Sequence, residues 1–176
     1  QYSYFYMLMA RKNLDQELGA PKNTLIKFNE QIASKYRAGL SLRFLNRYLT
    51  EDAVTLAIRN FYTKNKLIQT NAVDFENSLQ EQTTKDINWF FKTVIYSRDL
   101  IDYKFNKVIK KTDSIQFSLK NRTGITVPVP VYGINKGEIV FKKWIDVFEK
   151  DSVFTVPRNG AEKVVINYKN EAPEFN

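Results

Sequence analysis

The sequence predicts an α+β protein in two parts, an N-terminal all-α helical bundle followed by a small antiparallel β-sandwich. Three observations carry this. Up to about residue 98, apolar residues recur at helical spacing. After Arg98 the period falls to two: Ile115, Phe117 and Leu119 alternate with Gln116, Ser118 and Lys120. The second part is also cut by turn signals at Asn121-Arg122-Thr123-Gly124, Asn135-Lys136-Gly137 and Pro157-Arg158-Asn159-Gly160. The boundary falls near residues 98–102, which gives domains of 1–98 and 102–176.

The elements follow in order. Tyr2 to about Leu14 reads as a helix with Tyr4 and Leu8 on one face, stopped by Gly19-Ala20-Pro21. Residues 23–33 read as an irregular connection with an apolar patch at Leu25, Ile26 and Phe28. Ser34 to Leu49 is the central helix. Ala38, Leu42, Leu45 and Leu49 form one apolar row and Leu40, Phe44 and Tyr48 a second, so this helix is covered on two sides. Ser34 suits its N-cap. Gly39 costs it about 1 kcal/mol relative to Ala, which leads us to expect a close neighbour at that backbone. Thr50 then caps a helix to about Lys64, with Glu51 and Asp52 matching its dipole and Val54, Ala57, Ile58 and Phe61 on one face. Asn71 caps a helix to about Gln82 that buries Phe75 and Leu79, and Asp86 caps one that buries Trp89, Phe90, Phe91 and Val94.

In the second part, Tyr103–Val108 and Ile115–Leu119 read as strands. Ile125, Val127, Val129 and Val131 share one face of a third, which Pro128 and Pro130 assign to a sheet edge. Ile139–Val147, Ser152–Val156 and Val164–Tyr168 complete about six short strands.

Composition narrows the chemistry. At 176 residues, 43% hydrophobic and 26% charged, the chain is of ordinary globular type. It has no apolar run of spanning length and no signal-peptide pattern, so no membrane segment is expected in it. It begins without Met, and both ends read as cuts in a longer polypeptide. There is no cysteine and no histidine, which excludes disulfides, thiolate chemistry, His-based triads and any H-E-x-x-H site within this chain. No Gly-rich phosphate loop and no EF-hand-type acidic loop is present. The net charge of +8 admits nucleic acid, an anionic membrane surface or an acidic partner. Its densest cluster is only Lys107, Lys110 and Lys111, the solvated face of a strand and its turn, so nucleic acid is not the expected partner. The residue types alone leave Tyr36 open between a core tyrosine, one of ten, and a functional hydroxyl. Trp89, Phe90 and Phe91 are neighbours on a helix and do not converge on one ligand, which favours core packing. Trp144 is expected between sheets.

Tyr36-Arg37-Ala38-Gly39 followed by an amphipathic helix resembles the Tyr-x-x-Gly element of the zinc aminopeptidases of the aminopeptidase-N and leukotriene-hydrolase family, the gluzincins. Trp89-Phe90-Phe91 is similar to the aromatic run near the end of that family's helical domain, and Asp102-Tyr103-Lys104-Phe105 to the start of its β-sandwich. Arg37 and Ala38 stand where the family usually has an acidic residue and Lys. Thr93-Val94 stand where it usually has Trp.

The resemblance implies that 1–98 is the helical part of a thermolysin-like peptidase domain and 102–176 an immunoglobulin-like sandwich. It implies a C-terminal fragment of a zinc metallo-aminopeptidase, inactive alone because the zinc site lies upstream. Tyr36 would stabilise the oxyanion formed at the scissile carbonyl. No cofactor is expected in this chain, and zinc is expected in the full-length parent. The implied partners are the upstream zinc-carrying domain of the same polypeptide and a peptide substrate, and the implied location is extracytoplasmic. The alternative is a non-catalytic interaction module derived from that family.

Overall fold

In the computed structural model, which describes residues 2–49, 52–146 and 151–173, the chain forms two compact units, Gln1–Arg98 and Asp99–Asn176. The first is helical. The second consists of two small antiparallel sheets, so the whole is α+β.

Helix α1 (Tyr2–Arg11) ends before Leu14 because Asn13 turns left-handed, with φ 56°. The Asn13 N–H then bonds to the Ala10 carbonyl (3.0 Å) and the Leu14 N–H to that of Met9 (2.9 Å), a Schellman closure with Asn in place of the usual Gly. Its buried face is Tyr6, Met9 and Ala10, while Tyr4 is exposed, so the face expected at Tyr4–Leu8 is rotated.

The connection expected to be irregular holds a 3-10 turn at Lys22–Thr24 and a π-helical turn at Asn29–Ala33. The latter runs without a break into α2 (Ser34–Tyr48). Ser34 is therefore not an N-cap. Its backbone is helical, and its N–H already bonds to the Asn29 carbonyl. Helix α2 buries Arg37, Ser41, Phe44, Leu45 and Tyr48. The two expected rows share the lower part of this stripe, but its first turn is polar.

Helix α3 (Ala53–Lys64) buries Ala53, Val54 and Ala57, and Ile58 faces solvent against expectation. Its proposed cap residues Thr50 and Glu51 lie outside the described residues, and Asp52 forms no side-chain cap. Helix α4 (Ala72–Gln80) carries the expected cap as a full capping box. The Asn71 side chain accepts from the N–H groups of Val73 and Asp74, and the Asp74 carboxylate accepts from that of Asn71. Helices α3 and α4 form a hairpin, held by the edge-on Phe61–Phe75 pair (5.3 Å) and by the Ser78 hydroxyl donating to the Ala57 carbonyl (3.1 Å). The last helical segment, capped by Asp86 on the Asn88 N–H (2.8 Å), is π-helical over Phe90–Ile95 and buries Trp89, Phe90, Phe91 and Val94.

In the second unit, β1 (Tyr103–Lys110), β2 (Ser114–Asn121) and β5 (Ser152–Pro157) form one sheet in the order β1-β2-β5. The strands β3 (Val129–Asn135), β4 (Glu138–Ile145) and β6 (Lys163–Ile166) form the other in the order β4-β3-β6. One apolar cluster draws on both, with Ile115, Phe117, Leu119 and Val156 from the first and Val131 and Ile145 from the second. A register shift between Phe105 and Lys107 breaks the alternation in β1, leaving Val108 and Ile109 partly exposed.

The proline argument placed the third strand at an edge, and this is corrected: β3 is the centre of its sheet. Pro128 precedes the strand. Pro130 is paired with Trp144 of β4, whereas the ladder to β6 begins only at Val131. Neither ring therefore removes a donor that the ladder uses, and residues 127–134 are buried throughout as a two-sided strand requires.

Gly133 lies opposite Phe141, whose ring occupies the space that a Cβ would take. Gly133→Ala should therefore destabilise the sheet unit by about 1–3 kcal/mol, since Phe141 would have to leave the core. Urea unfolding checks this, and an unchanged midpoint would mean that the ring is free to move. At the C-terminal end, the Glu171 carboxylate accepts from the Tyr132 hydroxyl (2.6 Å) and pairs with the Lys142 ammonium (2.7 Å).

Candidate functional site

Tyr36 and Arg37 are neighbours on α2, and a helix sends consecutive side chains about 100° apart. Arg37 points inward and Tyr36 toward the rim. The Tyr36 ring is half-buried and stacks nearly parallel on Phe5 of α1, with centroids 5.6 Å apart and planes at 15°. Phe5 also packs edge-on with Tyr4 (5.7 Å) and tilted against Phe28 (6.3 Å). Two helices and the segment between them thus supply a short aromatic row that ends in a phenol. Gly39, one turn on, is exposed, and no atom of another side chain or element lies within 4 Å of where its Cβ would stand. The close neighbour expected there is absent from the described residues, so the helix backbone is open on this side.

The inward residue is the one that sequence reasoning missed. Arg37 is only 5% exposed, as is Asp15 in the loop after α1. One guanidinium nitrogen lies 3.5 Å from the Asp15 carboxylate and donates to the Gln16 carbonyl (2.7 Å). The other donates to the carbonyls of Val94 (3.3 Å) and Ser97 (2.7 Å), at the end of the last helical segment. The Tyr6 ring lies 5.5 Å from the guanidinium carbon. Arg98 reaches Asp15 from the other side at 3.5 Å and donates to the Asn13 side chain (2.8 Å). A single planar fork therefore ties three parts of the helical unit together, a role that Arg fills and Lys does not.

Amide side chains hold the loop beneath. Gln16 donates to the Thr24 carbonyl (2.9 Å) and accepts from the Ile26 N–H (2.8 Å), and the fully buried Asn29 donates to Gln16 (2.9 Å) and to the Leu14 carbonyl (2.8 Å). The signal for Arg37 was present as the lone cation on the row 37, 41, 44, 45, 48, but it was visible only once the true inward face was known.

Tyr6 carries a pH signature. Burial pushes its hydroxyl above the ordinary 10.0. Arg37 opposes that shift and Asp15 adds to it. The folded state then holds the proton more tightly than the unfolded chain. Stability should be unaffected by this group below pH 10.0 and should fall as pH rises beyond it, toward and through the folded value. Tyr6→Phe should remove that fall, as read from urea midpoints above and below pH 10.0.

Trp89 and the two phenylalanines are core. Trp89 packs on Phe44 (5.2 Å) and edge-on with Tyr48 (5.5 Å). Trp144 is half-buried with the Lys142 ammonium 4.9 Å from its ring. Among the described residues no group of three metal-ligating side chains converges. His and Cys are absent from the sequence, and no carboxylate cluster takes their place among the described residues.

No family model matches the sequence, and no curated protein matches it. A solved structure does: aminopeptidase A of Legionella pneumophila, crystallised in complex with aspartic acid, superposes with a TM-score of 0.60 at 14% identity. The fold of this chain is similar to that of the matched part of the Legionella protein. The match covers 81% of this chain but only 17% of the Legionella protein, so the chain spans about a sixth of that neighbour's length. At this identity the likeness speaks for the fold alone.

Proposed function

We propose that this chain is the C-terminal part of a zinc-dependent metallopeptidase, an aminopeptidase in which Tyr36 stabilises the oxyanion. The observation that carries the reading is the aminopeptidase-like fold combined with a Tyr-x-x-Gly element on α2 whose Gly39 backbone is open. On this reading 1–98 is the helical part of a thermolysin-like domain and 102–176 an immunoglobulin-like sandwich. The open side of α2 is where the upstream part of the polypeptide seats. On the same reading the zinc ion belongs to that upstream part; this chain has no His or Cys to hold it.

The contribution of this chain is positional. Phe5 holds the Tyr36 ring by stacking, and Arg37 fixes the turn of helix on which it stands. The Tyr36 hydroxyl then donates a hydrogen bond to the oxygen that becomes anionic as the carbonyl turns tetrahedral, an interaction stronger in the transition state than with substrate.

A second reading, a non-catalytic module of the same fold, draws on one observation. The position after Tyr36 is occupied by Arg37, which is spent on buried structure and does not line a cleft. Zinc content and peptide hydrolysis of the longer polypeptide separate the two. About one zinc per chain with N-terminal hydrolysis, and neither from the 176-residue chain alone, is the expected result. A longer polypeptide without zinc supports the module, and stoichiometric zinc on this chain alone overturns the first reading.

A further inference from the structure

The tip of the α3–α4 hairpin is built unlike the rest of the helical surface. Leu67 stands in a left-handed backbone conformation, φ 64°, and is 97% exposed. A bulky non-glycine residue rarely adopts this conformation, which costs stability unless something is gained by it. The turn is nonetheless tightly made. The backbone and side-chain N–H groups of Asn65 both donate to the Phe61 carbonyl (3.0 and 2.9 Å), and the Ile68 N–H closes on the Asn65 carbonyl (3.0 Å).

Ile68 beside it and Val73 at the start of α4 are exposed, as are Ile58 and Tyr62, one turn apart on α3. These apolar groups are accompanied by charge of one sign. Between Ala53 and Val73 the sequence carries Arg59, Lys64 and Lys66 and no acidic residue. Of the acidic groups on and after α4, Asp74 lies in its capping box and Glu81 is 3.9 Å from Lys64 in an exposed pair, while Glu76 stands three residues beyond Val73.

We propose that this tip is a membrane-docking wedge that inserts Leu67 and Ile68 into the surface of an anionic lipid bilayer. Lys66 and Arg59 then lie at headgroup level, and Lys64 joins them by exchanging its exposed pair with Glu81 for a headgroup. The chemistry is that of peripheral membrane proteins, in which apolar side chains enter the acyl boundary while cations meet the negative surface. The hydrogen-bonded turn fixes the backbone that carries the two side chains, so little backbone entropy is lost on docking. No helix of the described residues is long and apolar enough to cross a membrane, and the wedge requires none.

The test is co-sedimentation of the 176-residue chain with phosphatidylcholine vesicles, with and without phosphatidylglycerol, at about 0.1 M salt. Binding to the phosphatidylglycerol vesicles alone is expected. The double variant Leu67→Asp/Ile68→Asp should weaken it about tenfold or more with an unchanged circular dichroism spectrum. Lys66→Glu should weaken it at least ~fivefold. Lys107→Glu/Lys110→Glu, on β1, should leave it unaltered. Absence of binding by the wild-type chain would overturn the proposal. So would a double variant that binds like wild type, since adsorption would then be a matter of net charge elsewhere. A dimer in sedimentation velocity that the double variant dissociates would assign the tip to a second copy of this chain instead.

Discussion

Replacing Arg37 by Met should lower the unfolding free energy of the helical unit by about 3–5 kcal/mol. The expected size follows from what is left behind. Asp15 would be left in a buried loop with only Arg98 at 3.5 Å, and the carbonyls of Gln16 and Ser97 would each lose a short charge-assisted bond. Arg37→Lys should recover only part, because an ammonium cannot reach the loop and the last helical segment with two separate nitrogens. Replacing both members of the pair, Arg37→Met with Asp15→Leu, should cost less than Arg37→Met alone, since no buried charge remains. Urea unfolding followed by Trp89 fluorescence, in a Trp144→Phe background, measures all three. A loss under about 1 kcal/mol for Arg37→Met would mean that the guanidinium is solvated and ties nothing together.

The second large effect is kinetic. On the proposed function, Tyr36→Phe in the longer polypeptide should lower kcat about 100- to 1000-fold, the loss typical of one oxyanion donor, with KM little changed. The stacking of the ring on Phe5 should be retained in the variant, because only the hydroxyl is removed. Phe5→Ala should lower kcat less than Tyr36→Phe does, as a positioning residue would. If kcat of the Tyr36→Phe enzyme stays within about twofold of wild type, the oxyanion role is wrong and the non-catalytic reading gains.

The two predictions meet at consecutive residues. Arg37 holds the turn of α2 from which Tyr36 projects. A variant at Arg37 should therefore disturb both stability and activity.

What the sequence determined by itself was local. Helical periodicity ended where the first unit ends, period two marked β2, and Asn71 and Asp86 read as caps because a cap is made by a side chain and the two or three N–H groups after it. The aromatic triplet Trp89-Phe90-Phe91 read as core because adjacent helical positions diverge. Tertiary structure decided the rest. It made β3 central despite its prolines, because which ladder begins at Val131 depends on where β6 lies. It denied Ser34 its cap, because a π-helical turn upstream had already supplied the bond to its N–H. It turned α2 so that Arg37 and Ser41 face inward, because carbonyls of Gln16, Val94 and Ser97, up to 60 residues away, converge on that side. Periodicity ranks residues by hydrophobicity, and a buried cation whose partners are distant carbonyls leaves no trace in it.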